Sequence, residues 1–308
     1  MSKKKPNRAH RAHRDRYGRG TTDPLPSVDP ESRERIPVPE RPEPKKFNAP
    51  LWAGAIVVLL VAGVFAMNIF GSDDQLTVDS LNPPAVGALD GGSSVYPANS
   101  KLAFTENVKF GYLPAPTLTA LGDGTVVAAN PETAAEDMGL KKGLDELDAD
   151  EFLDQTINPA RKNTSPGDPM TWDQIVDEFG GDTVFMPAID SAEVATPALK
   201  TVTEAGLEDS TLVRTDDPEV ARAAADAGVG AMFTGDYTVS SAEDLDSGGY
   251  TAMAVRADDA STWAETDLAV WATDVKDKKQ LEKLADAGAT GALSANPYKV
   301  LPSEVKKN

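Results

Sequence analysis

Across 308 residues the chain carries 30 Lys and Arg against 49 Asp and Glu, a formal net charge of −19, with 2 His and no Cys. The missing cysteine excludes a disulfide framework, a thiolate metal site and a cysteine nucleophile. Residues 1–46 hold 13 Lys and Arg against 7 Asp and Glu, which leaves 17 against 42 for the remainder, an acidity that argues against nucleic acid as a partner.

The first segment, residues 1–49, is rich in proline and charge and has almost no aliphatic periodicity, which predicts a disordered basic tail. Its run RAHRAHRDRYGRG holds both histidines, His10 and His13. A basic arm on the anionic inner leaflet accounts for this run, since nothing in such a tail would hold two imidazoles around a metal. Residues 50–71 follow. Within them Leu51 to Phe70 read LWAGAIVVLLVAGVFAMNIF, with no charge and a single polar side chain, Asn68. At about 1.5 Å rise per residue this run covers the roughly 30 Å hydrocarbon core of a bilayer, and it lacks the polar stripe of a core helix. It is expected to be a transmembrane helix. A cleaved signal peptide does not fit, because a long polar segment precedes the apolar run. Lys45 and Lys46 sit before the helix, Ser72, Asp73 and Asp74 after it, and no Lys or Arg appears until Lys101. The expected topology is therefore a single-pass protein of the cell membrane, with a cytoplasmic N-terminus and an extracytoplasmic C-terminal domain.

Residues 72–85 read as a linker and 86–308 as the outer domain, large enough to bury a core without staples. Short apolar runs predict eight strands: VGAL from Val86, LTAL at Leu118 continuing into TVVAA from Thr125, TVFMPAI from Thr183, STLVRT from Ser210, VGAMFTG from Val229, YTAMAV from Tyr250, DLAVWAT from Asp267 and TGALSA from Thr290. Amphipathic segments from Ser191, Pro218 and Lys278 each end in Ala-Gly just before a strand, where a helix-terminating glycine belongs. Eight strands alternating with helices predict an α/β fold, a closed (β/α)8 TIM barrel, although an open doubly wound sheet shares the same local grammar. The spacing from Asn130 to Thr183 exceeds one crossover and predicts an inserted subdomain carrying LDELDADEFLDQ and NPARKNTSPGDP.

The order of these motifs resembles the glycerophosphodiester phosphodiesterase family. VGALDGGSSVYPANSKLAF, from Val86 to Phe104, is similar to that family's opening strand ending in His-Arg-Gly, its Pro-Glu-Asn-Thr turn and the helix after it. GDGTVVAANPET, from Gly122 to Thr133, is similar to the Asp-Gly turn and the strand ending in His-Asp-Pro. LDELDADEFLD and MTWDQIVDEFGG resemble the family's central segments. VWATDVKDKKQLEKLADAGATGALSANP resembles its Trp-Thr-Val-Asn segment, helix and closing strand. The likeness runs from Val86 to about Val300 and implies a (β/α)8 barrel that hydrolyses glycerophosphodiesters with two histidines and a divalent cation.

Residue by residue, that chemistry does not carry over. The first His-Arg falls on Leu89 and Asp90, and the second His-Asp on Ala129 and Asn130. The metal-binding Glu-x-Asp pair falls on Ala115 and Thr117, or on Pro116 and Leu118, and no carboxylate lies between Glu106 and Asp123. No histidine follows His13. Proton transfer near neutral pH would need a carboxylate or lysine of strongly shifted pKa. No cofactor is therefore expected, although the family would use a divalent cation.

The remaining candidates for a pocket are Asp90, Asn99, Asn130, Asp190 and Trp271. Asp90 and Asp190 are expected at C-terminal strand ends, where barrels place catalytic groups, although carboxylates there also cap helices. Trp271 could stack on a sugar or fill the barrel. DELDADE from Asp145 and DLDSGG from Asp244 lack the pattern of a calcium loop and read as solvated faces, and Asn163-Thr164-Ser165 fits a glycosylation acceptor. The expected function is a membrane-anchored, catalytically inactive barrel serving as scaffold or ligand-binding subunit at the cell envelope. Its expected partners are the membrane and other envelope membrane proteins. The alternative is a phosphodiesterase or other hydrolase acting on glycerophosphodiesters or related lipid headgroups through a non-standard carboxylate site.

Overall fold

The computed structural model describes residues 75–302. The tail with His10 and His13, the apolar run from Leu51 to Phe70 and the start of the linker lie outside the described residues. Among the described residues no helix is long and apolar enough to cross a membrane.

A strap comes first. Leu76, Val78 and Leu81 pack against the apolar cluster inside the barrel, and the Ser210 hydroxyl donates to the Leu76 carbonyl at 2.6 Å. Strand β1 (Ala85–Leu89) follows and leads through the Asp90 loop into helix α1 (Lys101–Phe110). Ser100 caps α1 by accepting from the Ala103 amide, and Gly111 ends it in the left-handed region at φ 76°. Then come β2 (Leu113–Ala115), β3 (Leu118–Ala120) and β4 (Val126–Ala128).

Only β2 joins the barrel. β3 and β4 form a separate antiparallel pair, so the LTAL and TVVAA runs, expected as a barrel strand, build a hairpin instead. The strand they displace is β2, hidden in the sequence by Pro114 and Pro116. With α2 (Ala134–Met138) and α3 (Ala149–Leu153), the hairpin opens an excursion with its own apolar cluster, including Leu121, Val127, Ala129, Met138, Phe152 and Ile157. The inserted unit thus exists and begins earlier than Asn130. Its acidic run is used locally, since Asp148 caps α3 through the Glu151 amide at 2.8 Å.

The chain re-enters through α4 (Trp172–Phe179) and α5 (Ala192–Glu204), then β5 (Leu212–Thr215), α6 (Pro218–Asp226), β6 (Gly230–Phe233), α7 (Ala242–Ser247), β7 (Ala252–Arg256), α8 (Ala260–Trp263), β8 (Ala269–Thr273), α9 (Lys278–Asp286), β9 (Gly291–Ser294) and α10 (Pro297–Val300). The three Ala-Gly endings behave as expected. Gly206, Gly228 and Gly288 have φ of 66°, 75° and 100°. The next residue in each case, Leu207, Val229 or Ala289, donates its amide back to Val202, Ala224 or Leu284. This six-to-one bond satisfies an orphan carbonyl and turns a buried apolar side chain into the strand that follows.

Parallel pairing gives a 7-stranded sheet in the order β2-β1-β9-β8-β7-β6-β5. The segment 183–189 joins its two edges. Met186 and Ala188 donate to the Pro114 and Pro116 carbonyls, while Leu212 and Arg214 donate to the Phe185 and Pro187 carbonyls, all at 2.8–2.9 Å. This segment completes the ring as its eighth stave, although Pro187 interrupts its regular pairing. Inside lie Leu113, Met186, Leu212, Met232, Trp271 and Leu293. A larger apolar layer sits between the strands and their helices.

Candidate functional site

The C-terminal ends of the staves form a mouth. Asp90 leaves β1 in the left-handed region at φ 49°, and Asn99 takes φ 52° where the same loop turns into α1. The two are locked together. Asn99 Nδ2 donates to Asp90 Oδ1 at 3.0 Å, Thr117 Oγ1 donates to the same oxygen at 2.7 Å, and the Thr117 amide donates to Asn99 Oδ1 at 3.3 Å. Asn99 is buried, and Asp90 keeps partial access to solvent.

Beneath this group lies Arg214, on β5 and 8% exposed. Its Nε donates to the Met186 carbonyl at 2.8 Å, and its Nη2 donates to the Ala115 carbonyl at 3.0 Å and the Pro116 carbonyl at 3.2 Å. The reason lies in the seam. A parallel ladder would give the Met186 carbonyl an amide from residue 116, and proline has none. Arg214 supplies the missing donor. Burial pulls its pKa down to about 10, while Asp90 and Asp190 push it up, so the guanidinium stays charged at neutral pH.

Asp190 ends segment 183–189 with an exposed edge. Loss of solvation raises its pKa first and Asp216 next; Arg214 opposes them and Glu132 adds to the rise. Asp137, on α2, is raised first by burial and further by Glu136 and Asp90, against a lowering hydrogen bond from Thr133. The mouth is therefore a set of carboxylates around one buried cation.

The other expected residues are placed differently. Asn130 is turned to its own loop, its Oδ1 accepting from the Glu132 amide at 3.0 Å. Ala129, where the second family histidine would fall, is buried in the excursion's apolar cluster. Leu89 packs toward the barrel interior. Trp271 is fully buried in that interior, midway along β8, so it fills the barrel and offers no stacking face. Structure thus joins Asp90 to Asn99 and sets Asp190 beside Arg214, while Asn130 and Trp271 stand apart. Arg214 and Asp137 were missed as site residues. The signal for Arg214 was available: a lone cation inside STLVRT, a strand buried on both faces, must find partners in the core.

A divalent cation does not fit the residues present. The resemblance carries the metal-binding pair onto Ala115 and Thr117, or onto Pro116 and Leu118, none of them a carboxylate, and the Thr117 hydroxyl is spent on Asp90. A guanidinium already lies against the Ala115 carbonyl. Among the described residues no group of three or more His, Cys, Asp or Glu is placed to hold a metal.

No family model and no curated protein matches the chain. Solved structures do. A glycerophosphodiester phosphodiesterase from Agrobacterium tumefaciens is 11% identical with a TM-score of 0.60, covering 70% of this chain and 97% of that one. A phosphodiesterase from Oleispira antarctica, in complex with the product sn-glycerol-3-phosphate, is 13% identical with a TM-score of 0.59, covering 71% and 96%. A glycerophosphoryl diester phosphodiesterase from Parabacteroides distasonis is 13% identical with a TM-score of 0.57, covering 75% and 87%. The domain after the linker has the barrel fold of these phosphodiesterases, as the order of motifs from Val86 to about Val300 implied. At such identities the likeness is one of fold.

Proposed function

We propose that the chain is a single-pass membrane protein whose phosphodiesterase-like barrel serves, without hydrolysing phosphodiesters, as a scaffold or ligand-binding subunit at the cell envelope. One observation carries this reading. The mouth offers an Asp90–Asn99–Thr117 lock over a buried Arg214, where the resemblance calls for two histidines and metal-binding carboxylates. Carboxylates alone supply neither the imidazole that shuttles protons near neutral pH nor the metal that offsets charge on a phosphoryl oxygen. Leu51 to Phe70 anchor the domain, and the charge division across that run sets the cytoplasmic and outer sides. The partners are the membrane and other envelope membrane proteins.

Complementation tests this reading. A strain expressing a chain that lacks residues 80–308 is expected to lose function. A full chain carrying Asp90→Asn is expected to restore it, because the carboxylate holds a loop and performs no proton transfer. Failure of Asp90→Asn at normal protein levels, with Thr117→Val restoring function, would favour a carboxylate hydrolase.

A further inference from the structure

Stripped of its side chain, Arg214 would leave the carbonyl oxygens of Met186, Ala115 and Pro116 lining the space that Nε and Nη2 now fill, at 2.8–3.2 Å from those nitrogens. The Thr117 hydroxyl donates to the Asp90 carboxylate, and the charges of Asp90 and Asp190 both act on the guanidinium. Every donor in this set is oxygen. Backbone carbonyls are ligands that a hard cation such as calcium accepts, and no nitrogen or sulfur donor competes.

We propose that this is a cation site whose permanent occupant is the guanidinium of Arg214, so that the chain carries its own cation at the mouth and needs no metal there. An arginine stays protonated and cannot be removed by a chelator or diluted away. Its fork also matches the seam, since Nε and Nη2 reach carbonyls on two different staves, the 183–189 segment and the end of β2. The charged fork serves two ends: it supplies the donor that Pro116 lacks, and it opposes the upward shift that burial and Asp216 impose on Asp190. A divalent ion entering from solvent would meet a like charge already in place. The inference concerns the occupant of the site and is independent of any turnover at the mouth.

Thermal unfolding of the full chain in detergent tests it, with chelator, millimolar calcium, and sodium chloride of matched ionic strength compared. In the wild type, calcium is expected to act no differently from sodium chloride. Arg214→Ala is expected to melt lower in chelator and to recover several degrees in calcium but not in sodium chloride, because a ligand that binds the native state alone stabilises it. Arg214→Gln keeps an amide donor for the carbonyls and removes the charge, so it folds where Arg214→Ala fails and gains the same calcium response. Arg214→Lys keeps the charge and is expected to ignore calcium. A wild type as calcium-responsive as the uncharged variants, or uncharged variants that respond equally to both salts, would overturn the proposal.

Discussion

Asp90 shows how much a single position can be asked to hold. It sits in the left-handed region, accepts from Asn99 and Thr117 on one oxygen, and lends its charge to Arg214 and Asp137. Its place at a strand end was readable in the sequence, because an Asp followed by two glycines marks a loop. Its partners were not, because Thr117 and Arg214 reach it only through barrel closure. Asp137 gives the sharper test at this scale. Its pKa is raised, first by burial and then by Glu136 and Asp90 over a lowering bond from Thr133. A carboxyl whose folded pKa lies above its unfolded value costs stability when ionised; the cost is absent below the ordinary value of 3.8 and complete once the pH has risen through the folded value. Asp137→Asn should therefore melt higher than the wild type near neutral pH, with the gap closing as the pH falls toward 3.8. A gap that widened on acidification would show that the carboxylate is held by an attraction instead.

Among the elements, the helix ends were the most readable. Ala-Gly before an apolar residue encodes a local bond, and all three sites formed it. The second stave was the least readable, because Pro114 and Pro116 remove ladder amides and break the apolar run by which a strand is recognised, whereas TVFMPAI, expected as a strand, does build the third stave despite Pro187. Tertiary pairing and Arg214 make good the loss, and neither is local. The LTAL and TVVAA runs carry strand-like residues and do form strands, but nothing in a short apolar run says which sheet it joins. Close approach of β1 and β9 depends on Gly291. A Cβ there would run into the Ala85 carbonyl oxygen and lie 2.9 Å from Trp271 Cζ3. Gly291→Ala is expected to cost about 1–3 kcal/mol as overpacking, read as a lower denaturant midpoint at unchanged slope. An unchanged midpoint would mean that the two strands can separate without loss.

For the whole molecule, the contrast is between a frame shared with solved phosphodiesterases and a mouth that lacks the residues the resemblance calls for. Seven paired strands and the 183–189 segment build the ring, its interior is filled by apolar side chains with Trp271 at full burial, and solved phosphodiesterases superpose over 70–75% of the chain. Fold and mouth are set by different residues. The frame depends on patterns of burial that many sequences satisfy, whereas hydrolysis depends on a few side chains at fixed positions. At the positions onto which the resemblance carries them, the chain has Leu89, Asp90, Ala129 and Asn130, and either Ala115 with Thr117 or Pro116 with Leu118. The substitutions were visible in the sequence once motif order had aligned it. What was invisible is that Ala129 faces an apolar cluster and that Arg214 closes the seam, since both follow from where the excursion and the barrel close. The most direct test is phosphorus NMR of a glycerophosphodiester incubated with stoichiometric full-length chain and magnesium or calcium. The account predicts that the phosphodiester resonance persists without a phosphomonoester signal; steady growth of a glycerol phosphate resonance, lost in Asp90→Asn, would contradict it.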